Sequence, residues 1–267
     1  MITFLVISCV IALVAYRFQQ EVQMGYRYAG RKAAPAKTWI LPVPQLYKDI
    51  LQKYFPYYQS LSAADKGKFE RKVCNFLYSK RFIARNIDEV TIEARLLIAA
   101  SAVQLTFGLP NIYLQHFDKI LVYPNEYYSS ITKQYHKGEV NPRFGIIVLS
   151  WNNFVEGYIR PQSSVNLGLH EMAHALRLEN IIRNEEYQFF DEGLVRRFDE
   201  YARIICSNLE GYGNFFRPYA CTNEHEFFSV AIENFFERSE LFKTNIPELY
   251  IILTHLLGQD PLKLKQA

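Results

Sequence analysis

His170, Glu171 and His174 stand in the pattern His-Glu-x-x-His inside the run from Asn166 to Leu176. On a helix, residues four apart lie one above the other, so both imidazoles can face the same ion while Glu171 stands beside them. Those residue types suit one chemistry. Two neutral imidazoles and a third protein ligand hold a zinc ion, and one position stays open for water. The metal lowers the pKa of that water, and a neighbouring carboxylate takes its proton as the water attacks a carbonyl. Leu167, Leu169, Met172, Ala173, Leu176 and Leu178 are helix formers that can bury the remaining surface, and no proline interrupts the run after Pro161. The string by itself is a moderate signal, because a core helix with two capped histidines carries it equally well. A third ligand and a suitable setting have to decide.

Most acidic residues downstream, such as Glu185, Glu186, Glu192 and Glu200, lie among other charges, as a solvated face does. Glu226 differs. It opens a strongly apolar helix that Thr222 or Asn223 can cap, and a buried first-turn carboxylate needs a metal or a helix N-terminus as partner. Glu233 lies two turns on, on the same face, where it can orient a ligand histidine through the second ring nitrogen or form a structural pair. His225 is turned about 100° from Glu226 and reads as a bystander.

The elements that must position these residues follow from hydropathy and punctuation. With 267 residues, 49% hydrophobic and 21% charged, the chain is long enough for one substantial core or two small ones. Pro44 to Phe55 reads as a short helix, and Ser62 caps an amphipathic helix whose inner face carries Phe69, Val73, Phe76 and Leu77. Thr91 to Phe107 is a nearly all-apolar helix stopped by Gly108 and Pro110, which places it in the core. Lys119 to Tyr123 and Gly145 to Trp151 read as strands, with a possible edge around Tyr135 and polar turns at Lys137-Gly138 and Asn141-Pro142. Helices resume with the histidine run and last to the end, so the fold class is α+β. Gly145 to Ser150 either offers an open edge to an extended peptide or is an ordinary buried strand.

Charge and cysteine usage narrow the partners. A net charge of +3 without a basic stripe gives no reason to expect nucleic acid. Cys9, Cys74, Cys206 and Cys221 have no CxxC spacing, so neither a disulfide framework nor a cysteine zinc site is expected, and a reducing compartment is the simpler reading. Residues Ile2 to Tyr16 are uncharged and mostly aliphatic, and a helix through Phe18 nearly spans a bilayer if Arg17 snorkels. No basic residue precedes the segment and no small-x-small site follows it, which argues against a cleaved signal. The expected organisation is a membrane anchor at 1–18, a linker at 19–38 and a catalytic-type domain at 39–267. Arg17, Arg27, Arg31, Lys32 and Lys37 all follow the anchor and favour a single-pass topology with the large domain in the cytoplasm.

A family resemblance rests on many short matches in a fixed order. They are Phe55-Pro56-Tyr57-Tyr58, Lys80-Arg81-Phe82, Arg95 to Ala100, Ile120 to Pro124, Val148 to Trp151, Pro218-Tyr219-Ala220, Glu226 to Val230, Glu233 to Glu237, and Gln259-Asp260-Pro261-Leu262. Together they resemble the Mlc titration factor A family of bacterial zinc peptidases from about Phe55 to Leu262. That family is in turn similar to the catalytic domain of anthrax lethal factor. The resemblance implies a mostly helical, zincin-like metallopeptidase domain with a small sheet, acting on a peptide or protein substrate. It further implies zinc on His170, His174 and Glu226, with Glu171 as general base. Tyr219 would donate a hydrogen bond to the oxyanion. The family's namesake sequesters a transcriptional repressor, so binding a regulator without cleavage is the alternative function. One departure stands out: Arg177 occupies a position where members usually carry Asp, which puts a supporting contact near the histidines in doubt.

Overall fold

The computed structural model describes residues 42–129, 133–160, 164–182 and 189–264, all within one compact unit, Thr38–Ala267. Helices α1 (Gln45–Tyr54), α2 (Pro56–Gln59) and α3 (Ala63–Ser79) come first, followed by strand β1 (Arg81–Ala84) and helix α4 (Ile92–Thr106). Strands β2 (Lys119–Tyr123), β3 (Tyr127–Ser129), β4 (Gln134–His136), β5 (Gly138–Asn141) and β6 (Ile146–Ser150) form the middle. Helices α5 (Trp151–Ile159), α6 (Leu167–Ile182), α7 (Glu192–Ser207), α8 (Glu224–Glu237), α9 (Ser239–Asn245), α10 (Pro247–Leu257) and α11 (Pro261–Leu264) follow. The result is α+β, mostly helical with a small sheet, as the sequence leads one to expect.

Local chemistry sets the helix starts. Ser62 and Thr91 accept hydrogen bonds from the backbone N–H groups of Asp65 and Ala94, satisfying donors that a helix leaves unpaired at its N-terminus. Helix α4 has no polar face, and residues from Leu96 through Thr106 are almost continuously buried. A helix apolar all round belongs inside the molecule. It packs between α3 and the histidine-bearing helix α6, which is buried along nearly its whole length.

The main sheet runs in the order β1-β2-β6-β5. Strands β1, β2 and β6 are parallel, and β5 is antiparallel to β6, with Gly138 opposite Leu149 and Asn141 opposite Ile146. Ile120, Val122, Ile147 and Leu149 fill the sheet's share of the core. Strands β3 and β4 form a separate hairpin.

Several expectations are corrected. Of the two readings of Gly145 to Ser150, the ordinary buried strand holds, since β6 is flanked on both sides and β5 takes the outer position. Gly138 and Asn141 belong to that strand and not to turns, because a polar four-residue edge strand lacks the alternating apolar signal. Trp151 starts helix α5 and does not end the strand. A disulfide joins Cys206, in the last turn of α7, to Cys221, with Cα atoms 5.5 Å apart. The fold returns the chain onto the end of α7, a proximity invisible in a 15-residue spacing. The expected anchor at 1–18 and linker at 19–38 lie outside the described residues. Among the described residues, no helix is long and apolar enough to cross a membrane.

Candidate metal centre

Helix α6 begins at Asn166, whose side-chain oxygen accepts from the N–H of Leu169 at 3.0 Å. From that start, His170 and His174 fall on one face with Nε2 atoms 3.1 Å apart. Helix α8 delivers the third group. Asn223 caps it by accepting from the N–H groups of His225 and Glu226, which fixes Glu226 in the first turn. Its Oε2 lies 3.1 Å from His170 Nε2 and 3.4 Å from His174 Nε2. His170, His174 and Glu226 thus form a trio able to hold a metal ion. His225 stands outside that trio.

The geometry fits an ion better than a hydrogen-bonded cluster. Glu226 Oε2 is buried without a well-formed hydrogen bond among the described residues. Zinc bonds of about 2.0–2.1 Å at tetrahedral angles put neighbouring ligand atoms about 3.3–3.4 Å apart, close to all three separations. His170 Nδ1 lies 2.6 Å from Glu233 Oε1, so that nitrogen carries a proton, and in the neutral ring Nε2 presents its lone pair to the centre of the trio.

Glu233 is fully buried and held from three directions. Arg217 donates from Nη2 to Oε1 at 2.7 Å and from Nη1 to Oε2 at 3.2 Å. The backbone N–H of Asn166 donates to Oε2 at 2.8 Å. One carboxylate therefore aligns the ring of His170 and ties down the start of the helix that carries it. Arg217 also donates to the carbonyl of Ser164. Sequence reasoning missed Arg217, although a buried Glu233 demands a cation and Arg217 lies two residues before Tyr219.

Electrostatics follow from burial and proximity. Burial pulls His170 down, but Glu226 and Glu233 on either side outweigh it and raise its pKa to about 10 in the metal-free protein. Burial pushes Glu226 up, yet the two imidazoles hold it well below the usual carboxylate range. Glu171 is buried and its pKa is raised, chiefly by desolvation. It lies against Gly138 of β5, where a Cβ would come within 2.4 Å of Glu171 Oε1.

Tyr219 sits in a 3-10 turn, Pro218–Thr222, that leads into α8. Its ring centroid is 6.2 Å from that of His170, and Arg217 covers it at 5.8 Å. The side chain is half-exposed, and burial followed by the charge of Glu226 pushes its pKa up to about 12, so it remains a donor at neutral pH. Arg177, the departure from the expected Asp, pairs with Asp199 of α7 at 2.6 Å and covers the ring of Phe228. The position keeps a charged link, made to a neighbouring helix.

A helix presenting two histidines and a buried glutamate beside an antiparallel edge strand, with a carboxylate from a later helix, defines a metallopeptidase-like domain. Residues 31–257 match the family described as glucose-regulated metallo-peptidase M90. The chain belongs to that family. It is 30% identical to "Uncharacterized protein slr2042" of Synechocystis over 83% of this chain and 86% of that protein. It is 26% identical to Mlc titration factor A of Klebsiella pneumoniae over 78% of this chain and 84% of that protein. Mlc titration factor A of Enterobacter is 25% identical over the same shares, 78% and 84%.

Proposed function

We propose that this chain is a zinc-dependent peptidase. The observation that supports it most directly is the triangle of His170 Nε2, His174 Nε2 and Glu226 Oε2, with edges of 3.1, 3.1 and 3.4 Å, beside a buried carboxylate. His170, His174 and Glu226 hold the ion. When bound, zinc polarises a carbonyl oxygen and lowers the pKa of water. Glu171 accepts the proton of the attacking water and passes it to the leaving amine; its desolvation makes it a stronger base than an exposed carboxylate. Tyr219 donates to the oxyanion of the tetrahedral intermediate. The outer edge of β5, which no strand among the described residues covers, pairs with the backbone of an extended substrate.

The decisive experiment is Glu171→Gln in the full chain. Zinc content and fold are retained, and turnover of a peptide library falls about 10²–10⁴-fold, the usual worth of a positioned base. Cleavage at the wild-type rate removes Glu171 from this role.

A second reading is that the protein holds a regulator without cutting it. The name of the Klebsiella relative, Mlc titration factor A, favours it. Zinc in the purified protein with no chelator-sensitive turnover of any peptide would select this reading. In either case we propose that residues 1–18 anchor a domain at 39–267 through a linker at 19–38. The basic residues after the anchor favour a cytoplasmic domain. The Cys206–Cys221 disulfide pulls the other way, since such bonds persist in oxidising compartments. A C-terminal fusion reporter decides between the two sides.

A further inference from the structure

A cleft of about 640 Å³ opens where Ala84 and Arg85 end β1 and Tyr123 ends β2, with Tyr127, Tyr128 and Tyr135 of the β3–β4 hairpin on its other side. The carboxyl ends of parallel strands are where open sheets leave room for ligands. His170, His174 and Glu226 do not line this cleft, whereas Tyr127 does. The Tyr127 hydroxyl donates to Glu139 Oε2 at 3.2 Å. Glu139 is the neighbour of Gly138, which abuts Glu171. Glu171 is close enough that its charge, after burial and Glu139, helps to raise the pKa of Tyr127. Tyr127 thus joins the wall of the cleft to the first residues of β5, the strand along which the proposed substrate would run.

Four of the eight residues that line it are tyrosines, beside Ala84, Arg85, Asn86 and Glu126. Tyr123 and Tyr127 stack with centroids 4.4 Å apart, and Tyr128 meets Tyr135 edge-on at 5.5 Å. Tyr128 and Tyr135 are 56% and 72% exposed. A cross-strand pair can do no more than stabilise its own hairpin, and Tyr128 and Tyr135 are direct partners across β3 and β4. That account leaves out Tyr123, which belongs to the main sheet, and Arg85, which makes no ion pair among the described residues. Glu126 already has Lys137 as a partner at 3.8 Å, so a basic side chain would have to compete for it. An acidic side chain would meet Arg85 but would also face Glu126. A flat ring uses the tyrosine faces and can stack under the guanidinium.

We propose that this cleft is a subsite that takes an aromatic side chain of the substrate and so sets the protein's preference. The proposal rests on the peptidase reading above for the course of the peptide along β5. Peptides of one backbone carrying Phe, Leu, Lys or Ala at each position in turn test it. Their binding to zinc-supplemented full-length Glu171→Gln is measured by calorimetry, and kcat/KM is measured for the otherwise wild-type chain. At one position Phe binds about tenfold more tightly than Ala, the scale of one well-made aromatic contact. In Tyr128→Ala/Tyr135→Ala, whose fold is checked by circular dichroism, that ratio falls to near one. Equal binding of Phe and Ala at every position, or a preference that survives loss of both tyrosines, overturns the proposal. Absence of turnover in the wild type overturns the peptidase reading instead, and leaves the binding preference to stand or fall separately.

Discussion

Arg217 acts on the ring of His170 through Glu233, and among the described residues no hydrogen bond joins it to His174 or Glu226. Its two nitrogens grip both oxygens of Glu233, and Glu233 in turn grips His170 Nδ1. Arg217→Ala is expected to lower zinc affinity about 10–100-fold while leaving the helices in place, the usual cost of losing an outer hydrogen-bond partner. Competition with a chromophoric chelator measures it. Stability falls as well, since the buried Glu233 loses its guanidinium partner and keeps only His170 and the N–H of Asn166. Arg217→Lys recovers only part of the loss, because an ammonium cannot make the two-pronged contact. At this scale the sequence was informative where chemistry is local. His170, Glu171 and His174 share a helix face, and Glu226 was marked by its place at the head of an apolar helix. Arg217 carried no such mark, because its partner lies 16 residues away on another element.

The pairing of β5 beside α6 sets the position of Glu171. Gly138 admits the carboxylate only because it lacks a Cβ. Gly138→Ala should leave zinc content unchanged and lower turnover about 10²-fold, the cost of moving a catalytic group by about 1 Å. Unchanged kcat would mean that Glu171 yields without consequence. The Cys206–Cys221 link works on the other side, tying α7 to the turn that carries Tyr219. Its removal in Cys206→Ser/Cys221→Ser is expected to lower unfolding free energy by about 3 kcal/mol, the chain-entropy value for a loop of this length. Denaturant titration under non-reducing conditions reads that loss. A thiol titration of the wild type then finds Cys74, buried, as the free cysteine among the described residues.

For the molecule as a whole, a metal ion in the proposed site and a proton compete for the same atoms. Without metal, His170 has its pKa raised from 6.5 to about 10, so its contribution to stability is complete below 6.5 and is lost as pH climbs toward 10. Glu226 is depressed from 4.5, so its contribution is present above that value and disappears as acid titrates the folded protein. Zinc requires neutral imidazoles, so stabilisation by zinc has the opposite slope and grows between pH 6.5 and 10. Thermal unfolding with excess zinc and with chelator, compared at each pH, should show a difference in Tm that widens with pH. Buried Lys72, lowered to about 8 by desolvation, affects both conditions alike and cancels. The sequence by itself determined what depends on near neighbours: the apolar helices α4 and α6, the cap at Ser62, the α+β class, and the spacing that puts two imidazoles on one face. Only the tertiary structure decided which strand is the edge, which cysteines meet, what holds Glu233, and why residue 138 is glycine. Those features arise from contacts between distant segments, whose pairing depends on how whole elements pack and leaves no periodic trace along the chain.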